Sequence, residues 1–490
     1  MDHMGHDNQT EESEVSESNS TGEMNSNKSD TTPLTSLDAS GRSNESKDAE
    51  DLAPSFADEA LTSPSQEDNV EDSHCAVYLI VLLHGLGTLL PWNCFLTIAV
   101  DYYTNYKMME SVEDPVTHET KLVPSKYAPD FITYMGIAAQ LPNLLLNFVN
   151  IFIQTKGDIT RRISFSLIII AAVVAFTMAF INIDTSTWVF GFFVLTLVSI
   201  AVLNAANGIY QNSIFGMVSD FPFRYVNAVI IGNNLCGTLV ALLSMACVAL
   251  TNNIHQQAYA YFGISLFTLV ICFFSFFVLR KRRYFIHYVQ KGNRQRELEM
   301  ENRGKVTSKD YFEAFRQAYP MLINVFLVFF VTLTIFPKLM LGVQSTSDVF
   351  GKWWISLSIF LLFNLFAFIG SMLAGFVQFP GPEYLWLCTW PRLLFIPFVI
   401  FCNYIPATRT LPVLISNDWV YMGGMVLMSV SSGYFSSLAM MYTPRIVHPS
   451  KQRIAGMMAG FFLILGIVLG LAFPMVVQWF VEHIGGSSKP

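Results

Sequence analysis

Charge is scarce in this chain: 13% of its 490 residues are Asp, Glu, Lys or Arg, about half the share usual in soluble domains. That scarcity excludes an ordinary water-soluble enzyme. Cysteine supplies no framework either. The seven thiols (Cys75, Cys94, Cys236, Cys247, Cys272, Cys388 and Cys402) lie in or beside apolar runs with no paired loop spacing, so neither a disulfide scaffold nor a zinc site is indicated. They read as small buried hydrophobes. Also missing are a His-Glu-x-x-His pair, a Gly-x-Ser-x-Gly elbow and any ATP site, which removes the usual signatures of an intramembrane enzyme. No catalytic residue, metal, cofactor or nucleic-acid partner is expected.

What the chain has is apolar length. Eleven stretches, at about 75–100, 129–154, 163–182, 187–217, 224–250, 259–279, 321–343, 353–379, 384–404, 417–444 and 453–481, each reach the roughly 20 residues that cross a bilayer core. The fold class is therefore all-α, a polytopic membrane protein with 11 transmembrane helices, and a seven-span receptor would leave four good spans unexplained. Residues 1–74 differ sharply, holding 19 of the 37 acidic residues but 3 of the 29 basic ones. Rich in Ser, Asn, Thr, Glu and Asp, this tail cannot bury enough apolar surface to order itself. It shows no cleavable leader pattern. The expected organisation is a disordered acidic tail (1–74), six spans (75–279), a basic linker (280–320), five spans (321–481) and a short tail (482–490).

Basic clusters mark cytoplasmic loops. Lys156/Arg161/Arg162 follows span two, Arg280-Lys281-Arg282-Arg283 follows span six and Arg445/Lys451/Arg453 follows span ten, all after even-numbered spans. This predicts a cytoplasmic amino terminus and linker, an extracellular carboxyl tail and an exterior loop 101–128 carrying Asp101, Glu110, Glu113, Asp114 and Glu119. The sequons at Asn8, Asn19, Asn27 and Asn44 then face the cytoplasm and stay unmodified. Six spans, a linker and five spans suggest two bundles rocking about a central site, as in secondary transporters.

Polar side chains inside the spans mark the candidate site. Gln140, Asn143, Asn147, Asn150 and Gln154 share one face of span two, Asn204, Asn207 and Gln211 one face of span four, and Asn227 and Asn234 lie in span five. Amides donate and accept, which suits a neutral polar ring better than an ion; the competing role is helix-to-helix bonding. Asp130, Asp220 and Glu383 lie near span ends, leaving no mid-membrane carboxylate for proton coupling. His84 is the one mid-depth group that titrates near neutrality, and packing is its expected role. Arg392 is the deepest cation, either snorkelling near Glu383 or gating the inner side; Lys338 is expected to snorkel. Prolines 91, 142, 337, 391, 397 and 474 predict kinks. Gly456, Gly460, Gly466 and Gly470 predict close packing along one face of span eleven.

Together these pieces resemble the equilibrative nucleoside transporters over most of 75–481. The most specific is Leu86-Gly87-Thr88-Leu89-Leu90-Pro91-Trp92-Asn93. Gln211-Asn212-Ser213-Ile214-Phe215-Gly216, Phe363-Asn364, Arg392 with Ile396-Pro397 and Cys402-Asn403, and Gly433-Tyr434 leading to Pro444 support it. The resemblance implies a fold similar to the major facilitator superfamily and facilitated nucleoside transport in a membrane, the plasma membrane first and an endosomal one second. It places Leu89, Trp92, Gln140, Asn143, Asn207 and Gln211 around the solute, Gly232 holding span five close to it, and Asn364 and Ser371 in span eight. One departure matters. The family pattern in span eight, Phe-Asn-x-x-Asp-x-x-Gly-Arg, is associated with ribose recognition, and here its Asp and Arg are replaced by Ala367 and Ser371. Losing both avoids stranding one buried charge. Altered affinity, nucleobase cargo or lost transport are the three consequences, and nucleoside transport is the expectation. The alternative is a non-transporting scaffold or sensor whose tail and linker recruit cytosolic partners.

Overall fold

The computed structural model describes residues 70–113, 120–152, 159–251, 253–303, 308–347, 349 and 351–484. The four sequons and most of the tail, Asp114, Glu119, Gln154, Lys156 and residues from 485 onward lie outside the described residues.

Inside lipid a backbone must satisfy its own N–H and C=O groups, so the apolar runs become helices. They are α1 (Ala76–Thr97), α2 (Phe131–Phe152), α3 (Ile159–Ala179), α4 (Val189–Val218), α5 (Phe223–Leu250), α6 (Ile254–Lys281), the linker helix α7 (Arg283–Arg303), α8 (Ser308–Thr334), α9 (Leu362–Phe376), α10 (Leu385–Phe401), α11 (Asp418–Tyr442) and α12 (Gln452–His483). Among the described residues ten helices are long and apolar enough to cross a membrane, and α10 is a shorter eleventh. Side chains fix several starts. Asp72 accepts the backbone N–H groups of Val77 and Tyr78 at 3.0 Å each, while Asn253 and Asn417 cap α6 and α11. A short hairpin, β1 (Met109–Glu113) with β2 (Thr120–Pro124), follows α1.

The sequence left the linker's conformation open and predicted a kink at each of six span prolines. The linker is largely helical, because Tyr284 and Phe285 of α7 pack on Tyr225 and Phe221 with ring centroids 5.3 and 5.8 Å apart. Its aromatic face makes α7 part of the bundle surface. Of the prolines, 91, 142 and 474 sit inside continuous helix. The backbone breaks instead at Phe336, beside Pro337, and tightens into a 3-10 turn over Trp390–Leu394.

Helices α1 to α6 pack mainly on one another, as do α8 to α12; α9 and α11 meet α5, and α12 meets α2 and α4. The apolar core shows how these groups join. Its larger cluster fills α1 to α6 and continues into the parts of α8, α11 and α12 near residues 314–325, 438–442 and 454–464. A smaller cluster, with Val331, Phe363, Val399 and Met428, stays in the other half of α8 to α12. The larger cluster thus joins the two groups at the end bearing the basic loops, while nearer the opposite end α5 also meets Ile355–Leu361 of the second group.

Candidate functional site

Helices α2 and α4 form the site's polar wall. Asn212 Nδ2 donates to Asn147 Oδ1 at 2.9 Å, a pairing of residues 65 apart, and Asn147 Nδ2 donates to Asn143 Oδ1 at 3.0 Å. The same offset sets Asn143 beside Gly208, where a Cβ would lie 2.6 Å from its Oδ1. At a 1.5 Å rise per residue, Gln140, Asn143, Asn207 and Gln211 then fall within about 9 Å along the axes.

These amides are not equivalent. Asn147 is consumed by the ladder; Asn212 spends its Nδ2 there and on the Met457 carbonyl of α12 at 3.4 Å, while its Oδ1 is buried without a partner. Both polar atoms of Gln211, Oδ1 of Asn207 and Oε1 of Gln140 are buried without a hydrogen-bond partner. Gln211 is 2% exposed. A buried amide left unpaired costs on the order of 1–3 kcal/mol, a cost that a polar solute or water relieves. The one-face stripe of span two therefore divides: Asn143 and Asn147 bond within the protein while Gln140 keeps a free acceptor.

Leu89 and Trp92 are half-buried on α1, packed against the core. Beneath them Thr88 Oγ1 donates to Asn233 Oδ1 at 2.9 Å, tying α1 to α5. Gly232 belongs to that contact, since a side chain there would strike the Leu82 carbonyl. It faces α1 and not a solute, which corrects the expectation. His84 is fully buried, with Nδ1 2.6 Å from the Tyr210 hydroxyl and its ring edge-on to Phe276; its Nε2 is unpartnered.

The other group of helices looks different. Asn364 Nδ2 donates to the Phe360 carbonyl at 2.8 Å, and its Oδ1 abuts Gly237 of α5. Ser371 is fully buried and donates to the Phe368 carbonyl at 2.8 Å, while its own carbonyl accepts Asn227 Nδ2 at 3.1 Å. Ala367 is 1% exposed, and its carbonyl lies against Gly433 of α11. Positions 367 and 371 thus fall in a closely packed seam between α9 and α11, so Ser371 does not join the open amides.

Arg392 is 2% exposed and turns inward between α8 and α11. It donates from Nε to Ser431 Oγ (3.2 Å), from Nη1 to the Val328 carbonyl (3.1 Å), and from Nη2 to Thr332 Oγ1 (2.9 Å) and the Met428 carbonyl (3.4 Å). Thr332 Oγ1 is also 2.8 Å from Ser432 Oγ. Arg392 therefore does not snorkel, and Glu383 is exposed elsewhere; five neutral oxygens nearby make the inward position favourable. Lys338 is exposed. The glycines of α12 serve two partners and not one: Gly456 and Gly460 face Phe215 and Ser219 of α4, whereas Gly466 and Gly470 meet Phe326 and Phe330 of α8.

The family described as "Nucleoside transporter" matches residues 197–479, more than half of the chain. Human equilibrative nucleoside transporter 1 is 27% identical over 450 residues, covering 83% of this chain and 98% of the relative. Rat equilibrative nucleoside transporter 2 is 29% identical over 456 residues, with coverage of 83% and 98%. The chain belongs to the equilibrative nucleoside transporter family. Members of this family are carriers and not enzymes, and the fold agrees. The proton:xylose symporter XylE, of the major facilitator superfamily, superposes with a TM-score of 0.59 at 10% identity, over 83% of this chain and 90% of the symporter. The human organic anion transporter MFSD10 gives 0.52 at 14% identity, over 85% and 95%. This equilibrative nucleoside transporter family member therefore has the major facilitator fold in an eleven-helix version.

Proposed function

We propose that the chain is a facilitative carrier that moves nucleosides down their gradient by alternating access between helices 75–279 and 321–481. The observation that carries this reading is the set of unpaired amide atoms on Gln140, Asn207 and Gln211. A nucleobase edge offers alternating donors and acceptors that complement them. Leu89 and Trp92 cover the ring, Asn143 braces the wall, and Asn364 closes the site from α9. Arg392 stiffens the second bundle and so sets how it gates; Gly232 and Ser371 keep helices close. With no charged group in the α9 seam, the sugar is held by fewer contacts than the base, and free nucleobases are the second cargo class.

The basic end and linker lie in the cytoplasm, with residues 1–74 on the same side and 482–490 outside, in the plasma membrane. Uptake of radiolabelled uridine and adenosine in cells lacking nucleoside transport tests the reading. Uptake that a gradient of either sign drives is expected, and surface-expressed protein with no uptake above background would overturn it.

A further inference from the structure

The basic end holds a buried carboxylate shared by three elements that the cargo site does not use. Asp220, just beyond α4, is 2% exposed and accepts Arg453 Nη2 of α12 at 2.9 Å. It also takes a two-pronged contact from Arg296 of α7, Nη1 at 2.9 Å and Nη2 at 3.2 Å. Asn293 Oδ1 steadies the same Nη2 at 2.7 Å. Gly292, one turn before Arg296, lets α7 lie directly on the carboxylate: a Cβ there would sit 2.7 Å from Asp220 Cγ. Arg162, at the start of α3, repels Arg453.

The Asp220–Arg453 pair crosses from the first group of helices to the second, so it must break whenever this end opens. Breaking a buried pair is costly because it strands a charge. Arg296 removes that difficulty: α7 touches Pro449–Lys451 of the second group, but its aromatic face is anchored on Phe221 and Tyr225 of the first, and this anchor keeps Arg296 with Asp220. We propose that Arg296 is a resident counter-charge that makes the Asp220–Arg453 latch reversible, and that it thereby positions the equilibrium between the two access states. The inference rests on the alternating-access reading, but its test needs no cargo, so the two can fail separately.

The test is labelling of Ser219→Cys, which lies under Gly456 in the latch seam, by a charged thiol reagent applied from the basic side and compared with the parent's own labelling. Arg453→Gln removes the latch and is expected to raise the labelling rate about tenfold. Arg296→Gln leaves Asp220 to Arg453 alone and is expected to lower it by a similar factor, with Arg296→Lys restoring most of the loss. Should Asp220→Asn fail to fold, the exchange Asp220→Arg with Arg453→Asp rebuilds the latch while repelling Arg296, and is expected to label as slowly as Arg296→Gln. If Arg296→Gln and Arg453→Gln move the rate in the same direction, or the Lys variant restores nothing, the proposal is overturned.

Discussion

Helices α1 to α6 and helices α8 to α12 bury polar groups in opposite ways. In the first set Gln140, Asn207 and Gln211 carry buried atoms with no partner. In the second, Arg392, Thr332 and Ser432 satisfy one another, Asn324 Oδ1 accepts the Thr389 hydroxyl at 2.6 Å, and Tyr421 and Ser437 each keep a buried hydroxyl without a partner. Saturated groups resist rearrangement, whereas unsaturated ones wait for a ligand. Under the proposed function, the first half recognises the cargo and the second moves as a rigid body.

The strongest way to break this contrast is Arg392→Ala. It removes four donated hydrogen bonds and leaves a void, so a loss of about 2–4 kcal/mol is expected, read as a fall in the unfolding temperature of detergent-purified protein. An unchanged temperature would mean that the second half is not held by this network. Gln211→Ala should do the reverse. With no protein partner to lose, relief of the unpaired buried amide offsets the void left behind, so stability is expected to change by less than about 1 kcal/mol, while uptake efficiency falls roughly tenfold, or about 1.4 kcal/mol. Equal losses in stability and uptake would erase the distinction between a waiting amide and a structural one.

Asn147→Ala sharpens the same distinction within a single helix face. It cuts the ladder to Asn143 and Asn212, so about 1 kcal/mol of stability is expected to go, with uptake efficiency changed less than by Gln211→Ala. The smallest effect concerns Cys402, at the outer edge of the second half. Its side chain is fully buried, so a thiol reagent does not reach it in the folded protein. Maleimide mass labelling at pH 7.4 should mark the exposed Cys75 and spare Cys402.

Much of the fold was legible because a bilayer imposes length and composition on each crossing. The expected span 224–250 and the observed Phe223–Leu250 differ by one residue. The helix of span seven begins before its apolar run, at Ser308; its first turns carry Lys309, Asp310, Glu313 and Arg316, a stretch on which hydropathy has no say. The site was legible in part. Periodicity put Gln140, Asn143 and Asn147 on one face, but which of them a neighbour consumes depends on a helix 65 residues away. Gly232 looked available for a solute because its sequence does not reveal the Leu82 carbonyl opposite. Asp220 drew notice only as a charge near a span end. Its partners lie 76 and 233 residues further along, and no local pattern announces a meeting over that distance.

The glycines of α12 have a mechanical consequence. At Gly456 and Gly460 the helix is notched, and the Ser219 hydroxyl and the Phe215 ring sit in the notches. At Gly466 and Gly470 the missing side chains instead let the rod lie on the Phe326 and Phe330 carbonyls of α8. The same residue type therefore seats side chains from one helix group and admits bare backbone from the other, so a bulkier residue at either pair would push α12 away from a different neighbour.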